Sequence, residues 1–220
     1  MIHLTMQGGG HSYGYRRIFS GIDLELFSGD ILAITGANGS GKSTLLKTLA
    51  GILRPTNGEV KLILAEQGIP REQHALHIGL VAPYVNAYED LTLRENLRFI
   101  GKARSMHSNP VRIESMVADV GLTAHIDEPV RTYSTGMQQR VRLAAALFHE
   151  PKVLLLDEPT LGLDPKGKEI FRKMVAGAKQ AEHLVVIASN SEDEIAMADQ
   201  LLCIEDYAPK AGRFAWSSHK

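Results

Sequence analysis

Residues Gly36 to Ser43 read Gly-Ala-Asn-Gly-Ser-Gly-Lys-Ser, the strongest local signal in this 220-residue chain. The continuous apolar run 31–34 precedes them, as expected of a strand that is buried on both faces. Leu45, Leu46 and Leu49 follow at helical spacing. A strand, a glycine-rich loop that ends in Lys-Ser and a helix, in this order, predict a loop that binds phosphate.

This loop predicts a nucleotide site, because its backbone N–H groups can surround the phosphates and the helix N-terminus adds positive potential. Lys42 is expected to reach the outer phosphates as a point charge, and the hydroxyl of Ser43 is expected to ligate Mg²⁺. The residues expected to contact the nucleotide are Gly36, Ala37, Asn38, Gly39, Ser40, Gly41, Lys42, Ser43 and Thr44.

Two adjacent carboxylates follow a second apolar run, residues 153–156. Asp157 is expected to hold Mg²⁺ through water, and Glu158 is expected to polarise the attacking water as a general base. Taken alone, a solvated acidic pair at the end of a strand explains this pattern equally well. The phosphate-binding loop upstream favours the catalytic interpretation.

Strand and helix patterns alternate along the chain, which predicts an α/β fold with helices on both faces of a mainly parallel sheet. The N-terminal strands are expected to be antiparallel. Helical signals, including a capping box and an Asn-Pro pair, dominate the middle of the sequence and predict an inserted subdomain. The expected units are a catalytic core (2–86 and 151–204), an inserted helical subdomain (87–150) and a tail without a readable signal (205–220).

Gly8, Gly9 and Gly10 superficially suggest a second phosphate loop. No strand-to-helix context surrounds these three glycines, so we expect a flexible turn there.

Composition excludes several classes of protein. Lys and Arg number 24 and Asp and Glu 25, a net charge of −1, which gives no support to general nucleic-acid binding. A single cysteine, Cys203, excludes an intramolecular disulfide framework. No apolar run approaches the roughly 18–20 residues of a membrane span, and the first residues lack the pattern of a signal peptide.

Residues 133–138, Tyr-Ser-Thr-Gly-Met-Gln, stand at the predicted start of a helix in the inserted region. A small, hydroxyl-containing helix N-terminus is another place where an anion can bind. On its own the hexapeptide is explained as well or better by an ordinary N-cap.

Four segments in order, GANGSGKST, YSTGMQQR, LLLDEPT and LGLD, closely resemble the motifs of ABC-type ATPases, the nucleotide-binding subunits of ABC transporters. The resemblance covers residues 2–204, and the four motifs together are highly specific. The form YSTGM is similar to ATPases of exporter-type systems with separate permeases. The segment 18–47 is also similar to the heme-exporter ATPase group.

The resemblance implies further roles. Tyr13, with Tyr15 as the alternative, would stack on adenine. Ser134 and Gly136 would bind the γ-phosphate held by the opposite subunit. Asp164 would contact the partner across the interface, although this residue before a proline is equally a good helix N-cap. The signature residues are Ser134, Thr135, Gly136 and Met137.

Two positions depart from the family pattern. Pro83 stands where the glutamine of the loop before the helical subdomain is expected, and proline has no side-chain donor or acceptor. Asn190 stands where a histidine is expected after the strand 184–189. Asparagine can donate a hydrogen bond to a γ-phosphate, but it does not change charge near neutral pH.

The resemblance implies a head-to-tail dimer, with an identical or a different second ABC ATPase subunit, that sandwiches two Mg-ATP molecules. Hydrolysis would drive separate integral membrane permease subunits, which are expected to dock on residues 83–97, and no nucleic-acid partner is expected. The expected location is cytoplasmic, peripheral on the inner face of the cell membrane. Two alternatives remain: a hydrolysis-impaired subunit that pairs with a competent partner, and a non-transport ABC ATPase.

Overall fold

The computed structural model describes residues 1–106 and 109–209, and the predicted tail beyond residue 209 lies outside them. Within these described residues, nine strands form two sheets. One sheet is antiparallel, in the order β2-β1-β4-β5, and the other is parallel, in the order β6-β7-β8-β3-β9. The strands are β1 (Ile2–Tyr13), β2 (Arg16–Phe27), β3 (Ile31–Thr35), β4 (Asn57–Leu64), β5 (Gln67–Ile69), β6 (Ile78–Val81), β7 (Val153–Asp157), β8 (Leu184–Ala188) and β9 (Gln200–Cys203).

Four of the described helices begin where the sequence places capping residues. The side chains of Thr92 and Glu95 form a reciprocal capping box, and Asn109, Ser134 and Asp164 each accept a backbone N–H of the helix that follows. The helices are α1 (Lys42–Leu49), α2 (His74–His77), α3 (Leu93–Ala103), α4 (Pro110–Asp119), α5 (Thr135–Leu147), α6 (Pro165–Gln180) and α7 (Glu192–Ile195).

The core consists of three groups of buried apolar side chains. The first fills the space between the two sheets and around α1, which packs against β1, β7 and β8. The second lies between the opposite face of the parallel sheet and the apolar side of α6. The third is formed by α3, α4, α5 and the segments that join them. Both faces of the parallel sheet are therefore covered, and the five residues of β7 and of β8 are all buried.

The prediction of a flexible turn at residues 8–10 is wrong, because these glycines lie within β1. The pairing of β1 with β2 shifts register there, which marks a β-bulge. A Cβ on Gly58 of β4 would stand 2.2 Å from the carbonyl oxygen of Gln7. The glycines therefore allow two strands to approach closely where β4 begins.

The two sheets and the covering helices confirm the predicted α/β fold with an antiparallel N-terminal region. Within residues 1–106 and 109–209, no helix combines the length and the hydropathy that a membrane span requires.

Candidate functional site

The loop between β3 and α1 curves back on itself because three of its glycines have positive φ angles. Gly41, with φ 113°, is the N-cap of α1. A Cβ on Gly41 would lie 2.4 Å from Cγ2 of Ile18, and one on Gly36 would lie 2.8 Å from Cγ2 of Ile204. No larger residue fits at either position, so the backbone itself forms the wall of the site.

Lys42 is buried, and its ammonium group lies inside the loop. Nζ donates hydrogen bonds to the carbonyl oxygen of Gly36 at 2.5 Å and to that of Ala37 at 3.3 Å. The hydroxyl of Ser40, also in the loop, is buried without a hydrogen-bond partner among the described residues. The loop thus concentrates donors and one fixed positive charge, which suits a polyanionic ligand.

A cavity of about 460 Å³ opens in front of the loop. Tyr13 lines it and is half-exposed, whereas Tyr15 is fully exposed and does not line it. The structure therefore favours Tyr13 over Tyr15 as an aromatic platform for a base. The cavity brings together the predicted residues Tyr13, Asn38, Gly39, Gly41, Lys42, Ser43, Thr44, Asp157 and Glu158.

Arg16 and Ile18 also line the cavity, and the sequence interpretation missed both. They stand near the start of β2, directly after the turn that follows Tyr13. Their contribution depends on the pairing of β1 with β2, which places the first residues of β2 beside Tyr13. The alternating pattern of β2 could have predicted the strand but not its neighbour across the sheet. Gly36, Ala37 and Ser40 belong to the loop without lining the cavity.

Asp157 ends the buried strand β7, and its side chain is close to that of Ser43. Burial raises the pKa of Asp157, while the hydrogen bond with the Ser43 hydroxyl and the charge of Lys42 lower it. A carboxylate and a hydroxyl side by side are hard oxygen ligands of the kind that Mg²⁺ prefers. Ser43 and Asp157 therefore fit the metal that the loop would need for a nucleotide.

Glu158 adopts a left-handed backbone conformation with φ 47°. Its N–H donates to the carbonyl oxygen of Ala188 at 2.9 Å, which ties the chain after β7 to the end of β8. Glu158 lines the cavity together with Asp157, so this unusual backbone conformation lies within the candidate site.

The predicted signature residues Ser134, Thr135, Gly136 and Met137 do not line this cavity. Ser134 caps α5 by accepting the N–H of Met137 at 3.3 Å. A Cβ on Gly136 would lie 2.9 Å from the carbonyl oxygen of Gly162, so the start of α5 packs against the loop that leads to α6. Within one chain, the signature and the phosphate loop are separate surfaces.

Asp164 caps α6, since its Oδ1 accepts the N–H of Gly167 at 2.8 Å. Buried Gln139 of α5, which the sequence interpretation missed, donates to the carbonyl oxygen of Pro159 at 2.8 Å. This bond connects α5 to the segment between Glu158 and Asp164. Only the helical pattern of α5 was visible in the sequence, and nothing in it marks Gln139 as a buried donor.

The two departures from the pattern differ in their relation to the phosphate loop. Pro83 is exposed, in a turn directly after β6, and it does not line the cavity. Asn190 contacts the phosphate loop, because its Oδ1 accepts the N–H of Gly36 at 3.3 Å. The carboxamide oxygen of Asn190 is thus engaged by the loop, and its NH₂ group is the part that can donate to a phosphate.

A second cavity, of about 320 Å³, forms an apolar groove between the end of α1, β6, α3 and α5. Ile52, Leu80, Val85, Phe99 and Ile100 contribute much of its apolar wall. Its charged lining residues are Arg104 and Arg142, beside His149. The groove overlaps the predicted docking segment 83–97.

Comparison with known proteins shows which proteins this chain resembles in sequence. A protein-family model described as "ABC transporter" matches residues 19–161. The chain is 35% identical over 185 residues to the bacitracin transport ATP-binding protein BcrA of Bacillus licheniformis, which covers 83% of this chain and 60% of that protein. It is 35% identical over 182 residues to the daunorubicin resistance ATP-binding protein DrrA3 of Streptomyces coeruleorubidus, covering 79% of this chain and 57% of that protein.

The fold also matches solved structures. A dimeric, post-hydrolysis structure of the ATP-binding cassette MJ0796, bound to ADP and Pi, superimposes with a TM-score of 0.81 at 21% identity. The match covers 94% of this chain and 96% of that one. The present chain spans about three fifths of the length of the two curated relatives.

Proposed function

The chain belongs to the ABC transporter family, and we propose that it is an ATP-binding subunit that binds and hydrolyses Mg-ATP. The observation that carries the proposal is the cavity in which Lys42, Ser43, Asp157 and Glu158 lie together in front of the phosphate loop. Tyr13 lies at the same cavity, where an adenine ring could stack on its half-exposed face.

The phosphate loop and the polar residues of the cavity have different tasks in this proposal. The backbone of residues 36–43 encloses the phosphates, and the ammonium group of Lys42 exchanges its carbonyl partners for phosphate oxygens. Ser43 and Asp157 hold Mg²⁺, which neutralises charge on the outer phosphates when it is bound. Glu158 accepts a proton from the attacking water and orients that water for in-line attack on the γ-phosphate.

We infer a head-to-tail dimer as the working unit. The signature residues Ser134, Thr135, Gly136 and Met137 lie outside the cavity of their own chain, so they are free to face the nucleotide of a second subunit. The family resemblance and the dimeric MJ0796 structure support this arrangement. The contact of Gly136 with Gly162 connects the signature to the loop that ends at Asp164, which would lie at the same interface.

The groove between α3, α5 and β6 is our proposed docking site for a separate membrane permease. Its lining is apolar with two arginines, which suits a short amphipathic segment of a membrane protein. Docking there would hold the subunit at the inner face of the cell membrane. The relatives named for bacitracin transport and daunorubicin resistance favour an exporter-type system.

We further propose that residues 87–150 act as a helical subdomain inserted into a core formed by residues 2–86 and 151–204. The third apolar cluster supports this division, since its twelve buried members lie at or between Leu93 and Phe148. A subdomain with a core of its own can rotate against the rest of the chain. Such a rotation would move the signature relative to the phosphate loop.

The test is steady-state hydrolysis of Mg-ATP by the purified chain, beside Glu158→Gln. The variant should lower kcat at least about 100-fold, because a general base contributes roughly 10²–10⁴ to the rate. Binding of a fluorescent ATP analogue should persist, because Glu158 does not form the phosphate loop. Glu182→Gln is the matched control, since Glu182 is an exposed glutamate that also has a positive φ, 55°, outside the cavity.

Absence of nucleotide binding by the unmodified chain would contradict the proposal. Binding without turnover in both the unmodified chain and Glu158→Gln would instead favour the hydrolysis-impaired alternative. In that case the first substitutions to test are those that place at positions 83 and 190 the glutamine and the histidine of the family pattern.

A further inference from the structure

Tyr84 follows Pro83 directly, and the strand register places this pair beside the nucleotide cavity. Val81, the last residue of β6, lies opposite Leu156 of β7. The next residue of β7 is Asp157, so the chain that leaves β6 passes beside this carboxylate. A tight turn, closed by the N–H of Val85 donating to the carbonyl oxygen of Ala82 at 3.0 Å, then carries the chain away.

The Tyr84 ring packs on a cation from the phosphate-loop helix. Nζ of Lys47 lies 3.8 Å from the centroid of the ring, a cation–π contact. Lys47 stands four residues after Ser43 on α1, so the two side chains share one face of the helix. Burial raises the pKa of the Tyr84 phenol, and the charge of Asp157 raises it further, which agrees with this proximity.

Both partners of this contact are joined directly to the groove. Val85 and Asn86, the two residues after Tyr84, line the groove, and the N–H of Ile52, another lining residue, donates to the carbonyl oxygen of Lys47 at 3.0 Å. A shift of the backbone at Tyr84 or at Lys47 would therefore be transmitted to groove residues on two sides.

We propose that the Lys47–Tyr84 pair is the positioning contact that couples the nucleotide cavity to the groove in this chain. Proline at position 83 has no polar side-chain group with which to make such a link. The ring of the next residue makes it instead, on a lysine that follows the metal-binding serine by one helical turn. This inference rests on the proposed function, although neither Lys47 nor Tyr84 lines the nucleotide cavity.

A reporter in the groove tests the coupling without requiring turnover. Val85→Cys is labelled with an environment-sensitive dye in a Cys203→Ser background, because Cys203 is the single native cysteine. Mg-ATP should change the dye emission in this parent and in Tyr84→Phe, which keeps an aromatic face for Lys47. Tyr84→Leu and Lys47→Met should each lose most of the emission change, because each removes the contact that couples the two sites.

Two further measurements separate coupling from damage to the site. Affinity for the fluorescent ATP analogue should stay within about threefold in all variants, since neither side chain lines the cavity. The double variant Tyr84→Leu/Lys47→Met should show the same reduction of the emission change as either single variant, because all three variants lose the same single contact. Each variant is also compared for kcat and KM, and the loss is expected in kcat.

The inference fails if Tyr84→Leu or Lys47→Met responds to Mg-ATP like the parent, or if Tyr84→Phe loses as much signal as Tyr84→Leu. A parent that binds the analogue but shows no change in emission also overturns it, and leaves the proposed function standing. A parent that binds no nucleotide overturns the proposed function, and the inference with it.

Discussion

The left-handed backbone conformation of Glu158 has a different consequence from the same conformation elsewhere in the chain. Six residues other than glycine have positive φ among the described residues, and Glu182 shares the φ range of Glu158. Glu182 is exposed at the end of α6, where such a conformation merely ends a helix. Glu158 lines the cavity and its N–H donates to Ala188, so here the strained residue lies in the site itself.

His149 provides a test of stability at the residue scale. Burial, chiefly, and the nearby charges of Arg104, Arg112 and His77 lower its pKa to about 4, while its Nε2 is 3.2 Å from the carbonyl oxygen of Ile78, within hydrogen-bonding distance. The unfolded chain therefore binds a proton between about pH 6.5 and 4 that the folded chain does not. Stability should fall as pH falls through this window.

His149→Gln keeps a hydrogen-bonding side chain that does not titrate, so it should flatten this part of the pH dependence. The partial exposure of His149 limits the expected effect to about 1 kcal/mol, after allowance for solvent screening. Urea unfolding at pH 7.5 and at pH 5 measures it. If the two proteins lose equal stability between these pH values, His149 does not cause the loss.

At the scale of elements, the capping role of Asp164 can be separated by mutation from the partner contact that we propose for it. It caps α6, and by resemblance it would contact a partner subunit. Asp164→Asn preserves the cap, because asparagine accepts the same N–H, whereas Asp164→Ala should cost about 1 kcal/mol of stability. If Asp164 also contacts a partner through its charge, Asp164→Asn should lower ATP hydrolysis while leaving the unfolding midpoint unchanged.

Asn109→Ala is the control for this comparison, since Asn109 caps α4 through the N–H of Val111 at 2.9 Å and lines neither cavity. It should lose stability like Asp164→Ala but keep its rate of hydrolysis at temperatures where it is folded. A normal rate in Asp164→Asn would restrict Asp164 to the capping role.

Local signals predicted most of the elements, because apolar runs, capping residues and prolines act within a few residues. The four-residue strand β6 was missed, since its sequence Ile-Gly-Leu-Val is short and contains a glycine. The glycines at 8–10 were misread for a different reason. Their role depends on the close approach of β1 and its neighbouring strands, which no local pattern reveals.

The candidate site shows the same division between local and long-range information. The phosphate loop and the pair Asp157-Glu158 follow from contiguous residues, so they were predicted directly. Arg16 and Tyr84 take their places only through the pairing of β1 with β2 and of β6 with β7. Sequence motifs thus identify the chemistry, while the neighbours that connect it to the rest of the molecule require the fold.

At the scale of the whole molecule, one chain presents the phosphate loop and the signature on separate surfaces, so ATP should act as a bridge between two chains. Glu158→Gln, which should bind ATP without hydrolysing it, is expected to move from 24.1 kDa to twice that mass when Mg-ATP is added. Light scattering after gel filtration measures the mass. Lys42→Ala in the same background should stay monomeric, because it removes the positive charge that holds the phosphates in the loop. If Glu158→Gln remains a monomer at saturating Mg-ATP, the signature surface does not bind the nucleotide of an identical chain, and a dimer of identical subunits is contradicted.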